Sequence, residues 1–146
     1  MAVSRGLRRL LRIRTLEEQQ SRMELESAMS ELRLLEQALD NAAGRETHGR
    51  RMIETSARTG VIADRLAGLV ECDSAGRQTT LLQPRIASAE EDAAELRRLF
   101  LAARVERRQA ETLVEEAETR EELDAARRGQ KELDDAFGSR RSRNRK

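Results

Sequence analysis

Aromatic side chains are almost missing from this 146-residue chain, which has two Phe and neither Trp nor Tyr. With 38% of its residues charged, it has too few large apolar side chains for a thick globular core, and a compact enzyme fold is excluded on that ground. A single Cys, Cys72, rules out an intrachain disulfide, and one His with one Cys gives no metal-ligand spacing, so a reducing cytoplasm fits best. No run of ~18 apolar residues occurs, and the first ten residues hold no apolar stretch of signal-peptide length; the expectation is a chain neither exported by a cleavable signal nor membrane-spanning. An excess of one charge is missing too: 28 Lys and Arg against 27 Asp and Glu leave +1.

What is present is helix-forming. Ala, Glu, Lys, Leu and Arg supply 87 of the 146 residues, well past the share at which a periodic sequence reads as long helix or coiled coil. The charge is segregated. Residues 1 to 14 carry Arg5, Arg8, Arg9, Arg12 and Arg14 without an acid, and residues 139 to 146 carry Arg140, Arg141, Arg143, Arg145 and Lys146 without one. Each end is therefore +5 and the stretch between them −9, an acidic body with two basic ends.

From Leu7 to about Ala43 there is neither Pro nor Gly. Leu25, Ala28, Leu32, Leu35, Leu39 and Ala42 alternate steps of three and four, the spacing of one coiled-coil seam. Carried back toward the start, that seam meets the polar Ser21, Glu18 and Arg14, whereas Ile13, Leu16, Gln20 and Met23 make a more apolar stripe. The reading is a register shift near Met23 to Leu25. A second seam runs through Ile86, Ala89, Ala93, Leu96, Phe100, Ala103, Arg107, Ala110, Val114 and Ala117. Its polar member, Arg107, either snorkels to solvent or fixes register. Beyond Ala117 this seam would meet Glu121 and Asp124, and a new stripe of Leu123, Ala126, Gln130, Leu133 and Phe137 replaces it before Gly138 supplies a stop.

Residues 44 to 84 hold five of the eight Gly and the only Pro, Pro84. They read as an irregular middle with one short amphipathic helix (Val61, Ile62, Arg65, Leu66, Leu69, Val70), a turn at Asp73-Ser74-Ala75-Gly76 and a helix resuming at Pro84. The predicted fold is all-α: a long antiparallel two-helix coiled-coil hairpin with a short irregular helical tip. Residues 1 to 138 form the single hairpin, with helix 1 at about 5–58, the tip at about 59–83 and helix 2 at about 84–137. Residues 139 to 146 form a disordered basic tail.

Chemistry is hard to find. His48 reads as an exposed loop residue, and Cys72 between Glu71 and Asp73 has its thiolate disfavoured by like charge. The carboxylates read as solvated helix faces, and no Gly-rich phosphate cradle occurs, so no catalytic, cofactor or metal site is expected. Arg5, Arg8, Arg9 and Arg12 interleave with Leu7, Leu10 and Leu11, a basic amphipathic start suited to an anionic membrane or an acidic protein surface. Nucleic acid is disfavoured, because neither basic end carries an aromatic stacking residue.

Arg107-Arg108-Gln109-Ala110-Glu111-Thr112-Leu113, followed by a charged helix and then Arg128-Gly129-Gln130-Lys131-Glu132-Leu133-Asp134-Asp135-Ala136-Phe137, resembles the end of the flagellar FliJ family and its type III secretion stalk relatives. The resemblance implies a non-enzymatic cytoplasmic stalk, peripheral at the inner membrane, standing in the pore of a hexameric export ATPase and reaching toward the membrane export gate, with export chaperones as further partners. In that setting the hairpin's open end, with Arg5, Leu7, Arg8, Arg9, Leu11, Arg12, Leu133 and Phe137, is the expected ATPase contact of a monomeric hairpin. The opposite tip, with Val61, Ile62, Leu66, Leu69 and Val70, is the expected contact for gate or chaperone. The alternative is a generic scaffold or chaperone dimerising through the Ile86 to Ala117 seam.

Overall fold

The computed structural model describes residues 3–145 and is built of two helices, α1 (Arg5–Thr59) and α2 (Ile62–Arg143), packed against each other as an all-α antiparallel hairpin. Contacts divide it into two compact units, one of Met1–Gln20 with Leu101–Lys146 and one of Ser21–Phe100.

In the Ser21–Phe100 unit the reversal takes two residues, Gly60 and Val61. Gly60 has φ 73°, a left-handed backbone that a Cβ would strain, and its N–H donates to the Ser56 carbonyl at 2.8 Å to close α1. Asp64 then stands in the first turn of α2, where a carboxylate favours the positive end of the helix dipole. The tip is therefore far shorter than residues 59–83, and helix resumes at Ile62 rather than at Pro84.

Three features keep the stretch around residues 73–76 helical where turn residues predict a bend. Ala75 is fully buried against α1, Arg77 pairs with Asp73 one turn back, and Thr79 and Thr80 hydroxyls donate to the Ala75 and Gly76 carbonyls at 3.0 Å. Packing on a partner helix outweighs local turn propensity. Pro84 sits inside α2 at an exposed position, where the Thr80 carbonyl it leaves unbonded can meet water.

The glycines that read as irregularity serve close packing. A Cβ on Gly68 would lie 2.6 Å from the Gly49 carbonyl oxygen, and one on Gly49 would lie 2.8 Å from the Gly68 oxygen and from Cys72 Sγ. The two backbones touch there because neither residue has a side chain. Along the same unit Leu25, Ala28, Leu32, Leu35, Leu39 and Ala42 face Leu82, Ile86, Ala89, Ala93, Leu96 and Phe100, all buried or half-buried.

In the other unit the seam runs without a break. Leu7, Leu11, Arg14 and Glu18 of α1 are covered, together with Ala103, Arg107, Ala110, Val114, Ala117 and Glu121 of α2. The expected register shift does not occur: Glu18 is only 5% exposed, whereas Leu16 is 58% and Met23 65% exposed. One of the polar residues that disfavoured this register in α1 meets the polar exception in α2, since Arg107 Nε donates to Glu18 Oε2. The Ile86 to Ala117 seam is thus covered by α1 of the same chain. Gly138 does not stop α2, which continues to Arg143 because Arg140, Arg141 and Arg143 complement the negative end of the helix dipole. The expected tail is helix to that point; its last residue, Lys146, lies outside the described residues.

Candidate functional site: the basic end and the exposed apolar faces

The first three turns of α1, from Arg5 to Leu16, hold no acid. Arg5, Arg8, Arg9 and Arg12 are exposed and make no ion pair among the described residues. Four cations at the positive end of a helix dipole repel it and each other, so this surface gains from any anion that approaches. Leu7, Leu10 and Leu11 are half-buried, while Ile13 and Leu16 point outward beside the arginines.

Below them lies a ladder of charge. Arg14 donates to Glu17 at 3.0 Å and to Glu106 at 2.9 Å, and Arg107 bridges Glu18 to Glu111, the latter at 2.7 Å. The hydrogen bond to Glu17 and the charge of Glu106 hold the Arg14 guanidinium above its ordinary range, so it stays a cation at every working pH. Carboxylates neutralised by arginine in this way are structural partners rather than an acid and base pair.

On the α2 side cover is lost abruptly. Every residue from Glu122 to Arg145 is exposed, including Leu123, Leu133 and Phe137, the last at 66%. Leu133 and Phe137 are not covered by Leu7, Leu10 and Leu11: α2 runs past the start of α1, and among the described residues nothing packs over them. At the reversal, Val61, Ile62, Leu66, Leu69 and Val70 are exposed as expected, on the turn and first turns of α2.

His48 is exposed on α1 rather than in a loop. Cys72 is half-buried, with Sγ 3.5 Å from the Glu46 carbonyl. Among the described residues no group of three His, Cys, Asp or Glu could hold a metal ion, and no helix is long and apolar enough to cross a membrane.

One protein family, described as Flagellar FliJ protein, matches residues 4–146 of the chain. The chain belongs to the FliJ family. It is accordingly a component of the flagellar protein export apparatus, in a family whose members are non-catalytic. No curated protein and no solved structure matches the chain.

Sequence reasoning missed the outward stripe of Ile13, Leu16 and Met23, because their spacing is as good as that of the true seam. The signal that could have found it is the opposite charge of Glu18 and Arg107, each the polar exception of its own seam.

Proposed function

We propose that this FliJ-family chain is a cytoplasmic, non-enzymatic coiled-coil stalk that couples the hexameric ATPase of flagellar export to the membrane export gate, with export chaperones as further partners. One copy acts per ring. The observation that carries the reading is the uncovered end of α2, with Leu133 and Phe137 exposed, beside a start of α1 whose four arginines make no ion pair among the described residues. An apolar stripe and a cationic cluster together suit the inside of a ring lined by acidic and apolar loops.

Arg5, Leu7, Arg8, Arg9, Leu11, Arg12, Leu133 and Phe137 form the ATPase contact. Leu7 and Leu11 act from beneath, by holding the helix that displays the arginines. Val61, Ile62, Leu66, Leu69 and Val70 form the contact for gate or chaperone, since five exposed apolar side chains near one turn make a patch that a partner can cover.

The test is a binding comparison with purified export ATPase and with the soluble domain of the export gate. Reversing the charge of Arg5, Arg8, Arg9 and Arg12 together should weaken ATPase binding, with the loss largest at low salt. Leu66→Asp with Leu69→Asp should spare the ATPase and weaken the gate contact. If the tip substitutions abolished ATPase binding while circular dichroism showed intact helices, the ends would be assigned the wrong way round.

A further inference from the structure

Packing supports α2 only as far as the start of α1 reaches. Val3 and Arg8 still line one cleft with Ala125 and Arg128. From Gly129 to Arg143 every residue is exposed, and among the described residues nothing packs over them. Side-chain support is thin as well. Residues 129–143 make no ion pair among the described residues, and their side-chain hydrogen bond runs from Gln130 Nε2 to Asp134 Oδ1 at 3.2 Å.

The composition of this stretch does not make up the loss. Gly129 and Gly138 disfavour helix most, and Asp134, Asp135, Phe137, Ser139 and Ser142 are weaker helix formers than the Gln, Lys, Glu, Leu, Ala and Arg among them. Neither glycine admits a neighbouring helix, since a Cβ on either would meet nothing within 4 Å. A helix of about 15 residues without tertiary packing is marginal in water even when rich in Ala. Being joined to a supported helix, this one needs no nucleation, yet it unwinds from its free end without breaking a packed contact. Arg140, Arg141 and Arg143 in the last turn favour the helix and offset part of this. In the seam the balance is opposite: Ala110 and Val114 are 3% and 8% exposed, and opening there uncovers packed apolar surface.

We propose that residues 129–143 open and close as a local unit in the free chain, far more readily than the seam, and that contact with the export ATPase holds them closed. The second half rests on the functional reading above, which places Leu133 and Phe137 in that contact. Four residues apart, these two side chains share a face only while the segment is helical. The ring therefore meets a formed apolar stripe only in the closed state, and part of the binding energy goes into ordering it. A stalk outside the ring spends part of its time without that stripe.

Hydrogen exchange of the full chain, followed by mass spectrometry, tests the first half. Amides of residues 130–143 should exchange within about 10-fold of the unstructured rate, while those of residues 103–117 should be slowed roughly 10³-fold or more. Protection of 130–143 equal to that of the seam would overturn the proposal. Purified export ATPase tests the second half. Its binding should slow exchange across 130–143, and Gly138→Ala, which favours the closed helix, should bind up to about 5-fold more tightly than the parent. Gly76→Ala, which favours helix in a part of α2 outside this segment, should leave the affinity unchanged. Bound ATPase that leaves 130–143 unprotected, or a Gly138→Ala chain with parental affinity, would overturn the coupling. A parent chain that did not bind the ATPase at all would remove the functional reading and the second half with it, while exchange of the free chain still decides the first.

Discussion

One substitution, Gly to Ala, should have opposite signs at two places in α2. Gly76 has nothing within 4 Å of where its Cβ would lie, so Gly76→Ala gains the helix propensity of Ala, about 1 kcal/mol, without a clash. At Gly68 the added methyl would meet the Gly49 carbonyl oxygen at 2.6 Å, Ile53 Cγ1 at 2.9 Å and Met52 Cβ at 3.1 Å. The first of these is backbone and cannot rotate aside. The two helices must separate, which forfeits contact around Ile53, Cys72 and Ala75 and costs about 1 to 3 kcal/mol, typical of overpacking. The propensity gain offsets part of that, so Gly68→Ala should be less stable than the parent and lie about 2 kcal/mol below Gly76→Ala. Urea unfolding followed by circular dichroism measures both, with an unchanged denaturant slope as the check that the same surface unfolds. If Gly68→Ala proved as stable as Gly76→Ala, the helices would not touch at Gly49 and Gly68, and the packing described here would be wrong.

Arg107→Leu alone should destabilise by about 3 kcal/mol, because it strips the buried Glu18 of a countercharge, whereas Arg107→Leu with Glu18→Leu should recover most of that loss in the same urea assay. Phe100 is only half-buried, with the Arg22 guanidinium 5.6 Å from its ring centre, so Phe100→Ala should cost about 1 to 2 kcal/mol in thermal unfolding, less than the 3 to 5 of a fully buried Phe. Hydrogen bonding from Arg98 lowers the Glu95 carboxyl below its ordinary 4.5, so the pair stabilises the fold above the ordinary carboxylate range and that contribution fades as pH falls through the lowered value. An NMR titration should place the Glu95 midpoint below that of the unfolded chain, and Arg98→Gln should return it; an unmoved midpoint would show that the pair does not persist in solution.

Both long seams were legible from spacing alone. Leu25 to Ala42 and Ile86 to Ala117 stand covered at every predicted position, since a three-four repeat over several turns leaves a helix only one face to bury. The reversal was not legible. Gly44, Gly49, Gly60, Gly68 and Gly76 look alike in sequence, yet only Gly60 adopts a left-handed backbone, while Gly49 and Gly68 admit a neighbouring helix. Which of these a glycine does depends on what lies opposite, and that is absent from local sequence. The exposure of Leu133 and Phe137 was missed for a related reason. The apolar pattern of α2 continues to Phe137, but α1 starts too late to reach it.

The ionic seam explains where pairing ends. Leu7, Leu11, Ala103, Ala110 and Ala117 are few and mostly small, so apolar contact alone would tolerate a slip of α1 along α2 in the Met1–Gln20 and Leu101–Lys146 unit. A slip of one seam position would set Glu18 against Ala103 or Ala110 and take the Arg107 countercharge away from this buried carboxylate, which is strongly destabilising. The Glu18 and Arg107 pair, reinforced by Arg14 with Glu106, therefore acts as a register pin more than as a source of stability. Fixing that register fixes how far α2 runs beyond the start of α1. The polar residues that spoil the seam thereby determine that Glu122 onward, with Leu133 and Phe137, is left exposed among the described residues.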